Sequence, residues 1–380
     1  MKRNLLLTPG PTQIPPQICA ALGKPIIHHR TPQFQENLKE ANEGLKYFFQ
    51  TKNDVLLLTC SGTGAMEAAV SNLVSPGDKV IAVDGGKFGE RWVELCQTFG
   101  AKTHVIKVEW GKAVTAAQIK EVLDKEKDVK AVFVTLSETS TGVTTDVQAV
   151  AQVVQKTNTV LVVDAISALG IIDIQMDAWG VDMVISAGHK GFMLPPGIAF
   201  LSANDKAWKA ISACKTPRYY FDLKVAKEAA AKTDTPYTPA IGIIIALVES
   251  LKMMREIGRE KLFARYARLA QGVKEAAKAL GLSIFPESIC QSNVLTAINL
   301  PSEIDGEKLV KTMRDTYGIS VAGGQDKLKG KIVRIGHMGC LDEFDILTCL
   351  ACFEKVLFEM GYKFNLGAGL SGAQKIFNQK

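Results

Sequence analysis

The sequence lacks the features that mark membrane, secreted and nucleic-acid-binding proteins. No apolar run approaches the roughly 18 residues that a membrane-spanning helix needs, and the early run Leu5–Leu7 is too short for the core of a signal peptide. The net charge is +6, yet the basic residues are dispersed along the chain. Because no block of about five or six like charges occurs, we predict neither a nucleic-acid nor a membrane partner.

The eight cysteines follow no disulfide framework, and a chain of 380 residues needs no covalent cross-links to be stable. Cys349 and Cys352 form a C-x-x-C pair, but residues 347–357 have the pattern of an amphipathic helix. With no second pair and no nearby histidine, we interpret both as buried thiols and predict no metal site. Reduced thiols favour a cytoplasmic location.

Short β-branched and aliphatic runs alternate with amphipathic segments over the first 240 residues or so. Several runs lack the apolar/polar alternation of a half-exposed strand, which is typical of strands covered on both faces by helices. The pattern predicts an α/β fold with a mostly parallel, seven-stranded sheet. The predicted strands are Val55–Thr59, Val80–Val83, Thr103–Val108, Ala131–Leu136, Val160–Val163, Met183–Ser186 and Ile198–Leu201, and the helices between them include Ala65–Val74, Ala116–Lys125 and Val147–Lys156.

The pattern changes after about residue 240. A long helical stretch, Ile241–Leu280, precedes two strand candidates, Leu295–Leu300 and Lys331–Ile335, and a helix at Phe344–Met360. This pattern is typical of a smaller α+β domain. The predicted division is an N-terminal arm (1–15), a large domain (16–255) and a small C-terminal domain (256–380).

Two strand ends carry the residues with the clearest chemistry. Ligands of open parallel sheets bind at the carboxyl ends of the strands. Asp164 ends an apolar strand, where an unpaired carboxylate is costly, and a protonated ring nitrogen would be a suitable partner. Lys190 follows the next strand in a turn of small residues, where desolvation leaves its amine neutral often enough to attack an aldehyde. Together they favour a cofactor site.

Three further strand ends are ambiguous by themselves. Ser61-Gly62-Thr63 opens a helix whose free N–H groups suit a phosphate, or it is a glycine-rich cap that binds nothing. Ser137–Gly142 is a cluster of hydroxyls or an ordinary polar loop. Phe88 lies in a glycine-rich loop and is suited either to stacking on a flat heterocycle or to simple packing. The motif at Ser61 is not G-x-G-x-x-G, because Glu67 stands at the third glycine position, and the chain has no P-loop motif, so nucleotide chemistry is not favoured.

In this order, the motifs resemble the class V aminotransferases of fold type I, which depend on pyridoxal 5′-phosphate (PLP). The resemblance is greatest to the alanine–glyoxylate and serine–pyruvate (or serine–glyoxylate) group. It extends from Leu6–Pro11 to Arg334–Gly339 and rests on the motifs Ser61–Ala68, Glu138–Gly142, Val163–Ser167, His189–Gly191 and Pro195–Gly197.

The resemblance implies a role for each candidate residue. Lys190 would hold PLP as a Schiff base, Asp164 would pair with the pyridine nitrogen, and Arg334 would bind the substrate carboxylate. The other implied contacts are Ile166 and Phe88 on the two faces of the ring, Ser61, Gly62, Thr63 and His189 at the phosphate, Thr139 near the phenolic oxygen, Gly10 in the substrate pocket, and Tyr237 and Thr238 at the phosphate of the other subunit of a homodimer. Many relatives have tryptophan at the position of Phe88, and the Tyr237-Thr238 pair also differs from some of them.

The implied activity is ping-pong transamination between a small amino acid, alanine or serine, and a 2-oxo acid such as glyoxylate or pyruvate. Specificity for aspartate or an aminophosphonate remains open. A cysteine desulfurase-like lyase would need a cysteine shortly before the arginine, and residues 317–333 contain none. A catalytically idle binding protein would have no need to keep Asp164, Lys190 and Arg334 together. Some relatives have carried a hydrogenase-subunit label, but no cysteine cluster here suits iron–sulfur or nickel ligation.

Overall fold

The computed structural model describes residues 4–379, so residues 1–3 of the predicted arm and Lys380 of the predicted small domain lie outside it. The strands are β1 (Leu5–Leu6), β2 (Val55–Leu58), β3 (Lys79–Asp84), β4 (Lys102–Lys107), β5 (Val129–Thr135), β6 (Ser137–Glu138), β7 (Val143–Thr144), β8 (Val160–Asp164), β9 (Met183–Ala187), β10 (Ala199–Ala203), β11 (Leu295–Asn299), β12 (Ile319–Ser320), β13 (Ala322–Gly323) and β14 (Ile332–Gly336).

The helices are α1 (Pro16–Leu22), α2 (Pro32–Phe49), α3 (Gly62–Leu73), α4 (Lys87–Thr98), α5 (Ala116–Lys125), α6 (Val147–Val154), α7 (Met176–Trp179), α8 (Asp205–Ala213), α9 (Leu223–Ala230), α10 (Ile241–Ile257), α11 (Arg259–Ala279), α12 (Gly306–Asp315), α13 (Glu343–Glu359) and α14 (Ala368–Phe377). Within the described chain, no helix combines the length and the apolar character needed to cross a membrane.

All seven predicted strands lie in one seven-stranded sheet, in the order β2-β10-β9-β8-β5-β3-β4. The pairs β9–β8, β8–β5, β5–β3 and β3–β4 are parallel, whereas β10 runs antiparallel to both of its neighbours. The predicted α/β fold with a mostly parallel sheet is therefore confirmed.

The sheet is buried on both faces, as its uninterrupted apolar runs predict. Successive residues of a strand point to opposite faces: Val132 and Leu161 belong to one apolar core cluster, and Phe133 and Val162 belong to the other. The polar ends of these strands therefore lie at the edges of a double-sided core.

Helix α3 begins at Gly62, three residues before the predicted start at Ala65. Ser61 is its N-cap residue, so the small-residue motif forms the first turn of the helix itself. The earlier start places the backbone N–H groups of the motif at the positive end of the helix dipole.

The prediction of one long helical stretch over Ile241–Leu280 is wrong in one respect. Gly258, with φ of +86°, separates α10 from α11. Glycine adopts this backbone conformation at little cost, and the helical periodicity on each side concealed the break. The predicted domain boundary near residue 255 stays a prediction. Strand β1, from the predicted arm, pairs in parallel with β12 in the C-terminal part of the chain.

Candidate active site

A pocket of about 450 Å³ opens at the carboxyl edge of the large sheet. Its walls come from the segments that follow β2, β3, β5, β8 and β9, five strands whose ends the sequence marked as informative. The lining residues are Ser61, Gly62, Thr63, Phe88, Arg91, Ser137, Thr139, Asp164, Ile166, Ser167, His189 and Lys190.

Lys190 lies in the turn after β9, against the N-terminal segment. Its ammonium group donates a hydrogen bond to the carbonyl oxygen of Pro9. The hydroxyl of Thr12 donates to the Lys190 carbonyl oxygen at 2.9 Å, so the same segment holds the turn itself. Burial lowers the pKa of Lys190 to about 8, although the negative charge of Asp164 acts in the opposite direction. A neutral, nucleophilic amine is thus accessible near neutral pH.

Asp164 is the last residue of β8 and is only 3% exposed. Its Oδ1 atom accepts a hydrogen bond from the backbone N–H of Ile166 at 2.7 Å. Burial raises the pKa of Asp164 to about 7, and the nearby charge of Glu138 acts in the same direction. A buried carboxylate in this state favours a cationic partner, because an opposite charge would offset the cost of desolvation.

The first turn of α3 and His189 form a polar end of the pocket. Ser61 makes no side-chain capping bond, so its hydroxyl is not committed to the helix. The Nδ1 atom of His189 is buried and has no hydrogen-bond partner among the described residues. Burial lowers the pKa of His189 to about 4, so the ring is neutral at physiological pH. An anion with several acceptor atoms suits this end of the pocket.

Phe88 and Arg91 lie one turn apart on α4, and both line the pocket. The Arg91 guanidinium carbon is 4.9 Å from the centre of the Phe88 ring. Arg91 Nη1 also donates to the hydroxyl of Thr63 at 3.2 Å and so connects α4 to the first turn of α3. The aromatic ring is therefore held by a cation–π contact beside the polar end of the pocket.

Gly62 and Ile166 are in close contact across the pocket. A Cβ atom on Gly62 would lie 2.7 Å from Cδ1 of Ile166, closer than two carbon atoms can approach. A larger residue at position 62 would therefore force the Ile166 side chain to shift, so the two residues form one closely packed wall of the pocket.

Arg334 lies on β14 and does not line the pocket, but its side chain contacts Thr139, which does. Its Nη1 atom donates to the Thr139 carbonyl oxygen at 2.6 Å, and Nε donates to the Gly323 carbonyl oxygen at 2.8 Å. The side chain is buried, and desolvation lowers its pKa to about 10. Because a guanidinium group has five N–H donors, others remain for an anion such as a carboxylate.

Gly10 touches the Lys190 side chain directly. A Cβ atom on Gly10 would lie 2.2 Å from Nζ of Lys190, and the φ of Gly10 is +111°. Both the space and the backbone conformation therefore require glycine. The sequence placed Gly10 in the substrate pocket by resemblance, and the structure places it beside the amine.

Tyr237 and Thr238 do not lie in this pocket within a single chain. They line a separate surface cavity together with Thr59 and Tyr220. Tyr237 stacks with Tyr219 and Tyr220, at 5.8 and 5.4 Å between ring centres. Their predicted contact with a phosphate therefore needs a second copy of the chain.

Three pocket residues have no role in the sequence-based predictions: Arg91, Ser137 and Ser167. Arg91 had a recognisable signal, since it follows Phe88 by three residues and so shares its helix face. Ser137 and Ser167 lie just past strand ends, where function was expected. The buried pair Cys349 and Cys352 lies in the core on α13, as predicted.

The arrangement as a whole suits a flat aldehyde cofactor with a ring nitrogen at one end and an anionic group at the other. Asp164 would face the ring nitrogen, and the first turn of α3 with His189 would receive the anion. Lys190 supplies the amine. The buried Nδ1 atom of His189, which has no hydrogen-bond partner among the described residues, is available to the anionic group.

Comparison with known proteins identifies relatives along the whole chain. The family described as "Aminotransferase class-V" matches residues 5–339. The L-aspartate–glyoxylate aminotransferase of Paracoccus denitrificans is 37% identical over 385 residues, covering 99% of this chain and 97% of that protein. The serine–glyoxylate aminotransferase of Hyphomicrobium methylovorum is 37% identical over 383 residues, covering 98% and 94%.

A relative with a different kind of name is more similar in sequence. The soluble hydrogenase 42 kDa subunit of Anabaena cylindrica is 42% identical over 378 residues, covering 98% of each chain. Among solved structures, the ureidoglycine–glyoxylate aminotransferase of Bacillus subtilis superposes with a TM-score of 0.94 at 27% identity, covering 100% of this chain and 99% of that one. The fold predicted from the sequence thus matches that of a solved aminotransferase.

Proposed function

The chain belongs to the class V aminotransferases, and on that premise we propose that it transfers the amino group of alanine or serine to a 2-oxo acid such as glyoxylate or pyruvate. One observation carries the proposal: a lysine amine of lowered pKa, a buried aspartate and the first turn of α3 surround a single pocket. The acceptor is supported by the word glyoxylate in the names of three relatives with different donors.

PLP is the cofactor of this family, and its protonated ring withdraws the electrons that remain when a substrate Cα loses its proton. Asp164, ionised beside the ring nitrogen, holds the proton on that atom. Phe88 and Ile166 hold the ring plane from opposite sides. Ser61, Gly62, Thr63 and His189 bind the phosphate, and Thr139 orients the phenolic side of the ring.

Lys190 is the residue that moves the proton. When PLP is bound, the free amine of Lys190, with its pKa lowered to about 8, would accept the proton from the substrate Cα and return it at C4′ of the cofactor. Gly10 leaves room for this side chain to swing between the two positions.

Arg334 binds the α-carboxylate of the donor and of the acceptor. Its contacts with Thr139 and Gly323 fix the plane of the guanidinium group, so the geometry of the carboxylate contact is set before the substrate arrives. This common anchor serves both halves of a ping-pong reaction.

Aspartate is the second candidate donor. Arg91 is a guanidinium group that lines the pocket, in addition to Arg334 outside the lining, and its hydrogen-bond partner there is the neutral hydroxyl of Thr63. Such a cation is suited to a second carboxylate. A relative named for aspartate supports the same possibility.

We propose further that the enzyme acts as a homodimer with shared active sites. Tyr237 and Thr238 would then reach the phosphate in the partner's pocket. Two observations support this: both residues line a cavity other than the active-site pocket of their own chain, and the neighbouring Tyr219 is 81% exposed. A cytoplasmic location is supported by the eight cysteines, all of them unpaired thiols.

The test of the function is a set of half-reactions. The PLP-loaded enzyme is mixed with alanine, serine or aspartate without an acceptor, and the 2-oxo acid released is identified by mass spectrometry. Release of pyruvate or hydroxypyruvate, followed by formation of glycine when glyoxylate is added, supports the proposal. Release of oxaloacetate alone moves the assignment to aspartate, and release of no 2-oxo acid refutes both candidates.

Replacement of Arg334 by lysine is expected to lower kcat/KM for the donor roughly 100-fold, because the charge remains but the two-point contact is lost. Most of the change should be in KM. The matched control is Arg314→Lys on the exposed face of α12, which should leave both constants unchanged. A normal KM in the Arg334 variant would assign carboxylate binding to another residue.

A further inference from the structure

Glu138 is a buried carboxylate beside the site, and it does not itself line the pocket. It is 6% exposed and lies at the end of β6, one residue before Thr139. Its Oε2 atom accepts hydrogen bonds from the backbone N–H groups of Phe88 and Gly89, both at 3.0 Å. Its Oε1 atom accepts from the backbone N–H and the hydroxyl of Ser140, at 3.1 and 2.6 Å.

These bonds replace the cap that α4 lacks. Gly86, the N-cap residue of α4, has no side chain to offer. Ser140 Oγ accepts from the N–H of Lys87 at 3.1 Å. The first three N–H groups of α4 are therefore all satisfied by side chains of the β6–β7 hairpin. A Cβ atom on Gly86 would lie 2.5 Å from Cδ of Glu138, so the start of α4 packs directly against the β6–β7 hairpin.

The same hairpin holds the substrate side of the site. Between Glu138 and Ser140, the carbonyl oxygen of Thr139 accepts the 2.6 Å hydrogen bond from Arg334. Glu138, Thr139 and Ser140 thus connect the first turn of α4, which carries Phe88, to the guanidinium group of Arg334 on β14. The charge of Glu138 opposes the lowering of the Arg334 pKa that burial causes.

We propose that Glu138 is a positioning residue of the active site. Its carboxylate holds the start of α4, and with it the Phe88 ring, against the cofactor. It also keeps Phe88 in a fixed position relative to Thr139, whose carbonyl oxygen anchors Arg334. This inference rests on the proposed function, since it assumes that Phe88 stacks on PLP. The carboxylate acts through Phe88 and does not touch substrate or cofactor.

The principal test is Glu138→Gln. The amide has the size of the carboxylate but presents N–H groups at one end, so at least two of the four donors lose their acceptor. We expect the affinity for PLP, measured by titration of cofactor-depleted protein, to fall roughly tenfold. The visible circular dichroism of the bound cofactor should change as well, because it reports the orientation of the ring. Ser140→Ala removes a weaker part of the same hydrogen-bond network and should weaken PLP binding roughly threefold. This second variant replaces Glu138→Gln in the test if Glu138→Gln does not fold.

The matched control is Glu354→Gln. Glu354 is also a buried glutamate, 4% exposed, that accepts the N–H groups at the start of a helix, those of Gly367 and Leu370 at 2.7 and 2.8 Å. It lies on α13 and caps α14, outside the pocket lining. Both variants should lower the unfolding temperature, but Glu354→Gln should leave PLP affinity and circular dichroism unchanged.

A double-mutant cycle separates positioning from general support. If Glu138 acts through Phe88, then Glu138→Gln combined with Phe88→Leu should bind PLP no more weakly than Phe88→Leu alone. Additive losses, or a Glu138→Gln protein with wild-type PLP affinity and only a lower unfolding temperature, would overturn the inference. A wild-type protein that binds PLP but transaminates no donor would instead refute the proposed function, and unchanged binding by Phe88→Leu would refute the assumed stacking.

Discussion

Replacement of Lys190 by alanine is expected to lower the rate of transamination by roughly four orders of magnitude, the upper end of what a positioned general acid–base contributes. Among the residues that line the pocket in the described chain, Lys190 carries the only primary amine. Burial at this position lowers the pKa of the amine to about 8, so a solvent-exposed lysine cannot substitute for it.

Two measurements check this result. Reduction of the wild-type enzyme with borohydride should fix PLP on the peptide that contains Lys190, and the variant should carry no fixed label. Added methylamine should restore part of the activity of the variant, because the missing side chain leaves space for a small amine. The control is Lys209→Ala on the exposed side of α8, which should be fully active. Label on another lysine, or a fully active Lys190→Ala protein, would contradict the assignment.

Replacement of Asp164 by asparagine is expected to have opposite effects on activity and on stability. Asparagine keeps the hydrogen bond to the N–H of Ile166 but carries no charge, so it cannot hold a proton on a ring nitrogen. We expect kcat to fall by roughly 100- to 1000-fold, in line with the cost of breaking a buried charge pair. Without the cofactor, by contrast, the asparagine variant should be more stable against unfolding than the wild-type protein.

The sign of the stability change follows from the pKa of Asp164. In the folded, cofactor-free chain that pKa is raised to about 7 from the ordinary 3.8, so the ionised carboxylate destabilises the folded state at high pH. At pH 8 the asparagine variant should be more stable by on the order of 4 kcal/mol. The difference should shrink as the pH falls through 7 and vanish below about 4. Denaturant unfolding at several pH values measures it, and a difference that does not depend on pH would mean that another group already neutralises Asp164.

The large sheet and its functional edge could be predicted from the sequence because they depend on local patterns. Six of the seven strands are short apolar runs, and a buried strand needs little else to be recognised; the exception is the edge strand β4, which is polar and largely exposed. Asp164 and Lys190 follow two such runs directly, so their common location required only that parallel strands end at the same edge. The start of α3 and the break at Gly258 were misplaced, because small residues and a single glycine leave helical periodicity almost unchanged.

The sequence by itself determined which side chains are present at each strand end, and hence the amine, the carboxylate and the turn proposed to bind the phosphate. Only the tertiary structure decided how these ends are joined. Glu138 meets Phe88 across 50 residues, and Arg334 meets Thr139 across 195. Such contacts depend on the order of strands in the sheet and on how the C-terminal strands pack against it. Burial then sets the pKa values, because the desolvation that lowers the pKa of Lys190 and raises that of Asp164 exists only once both faces of the sheet are covered.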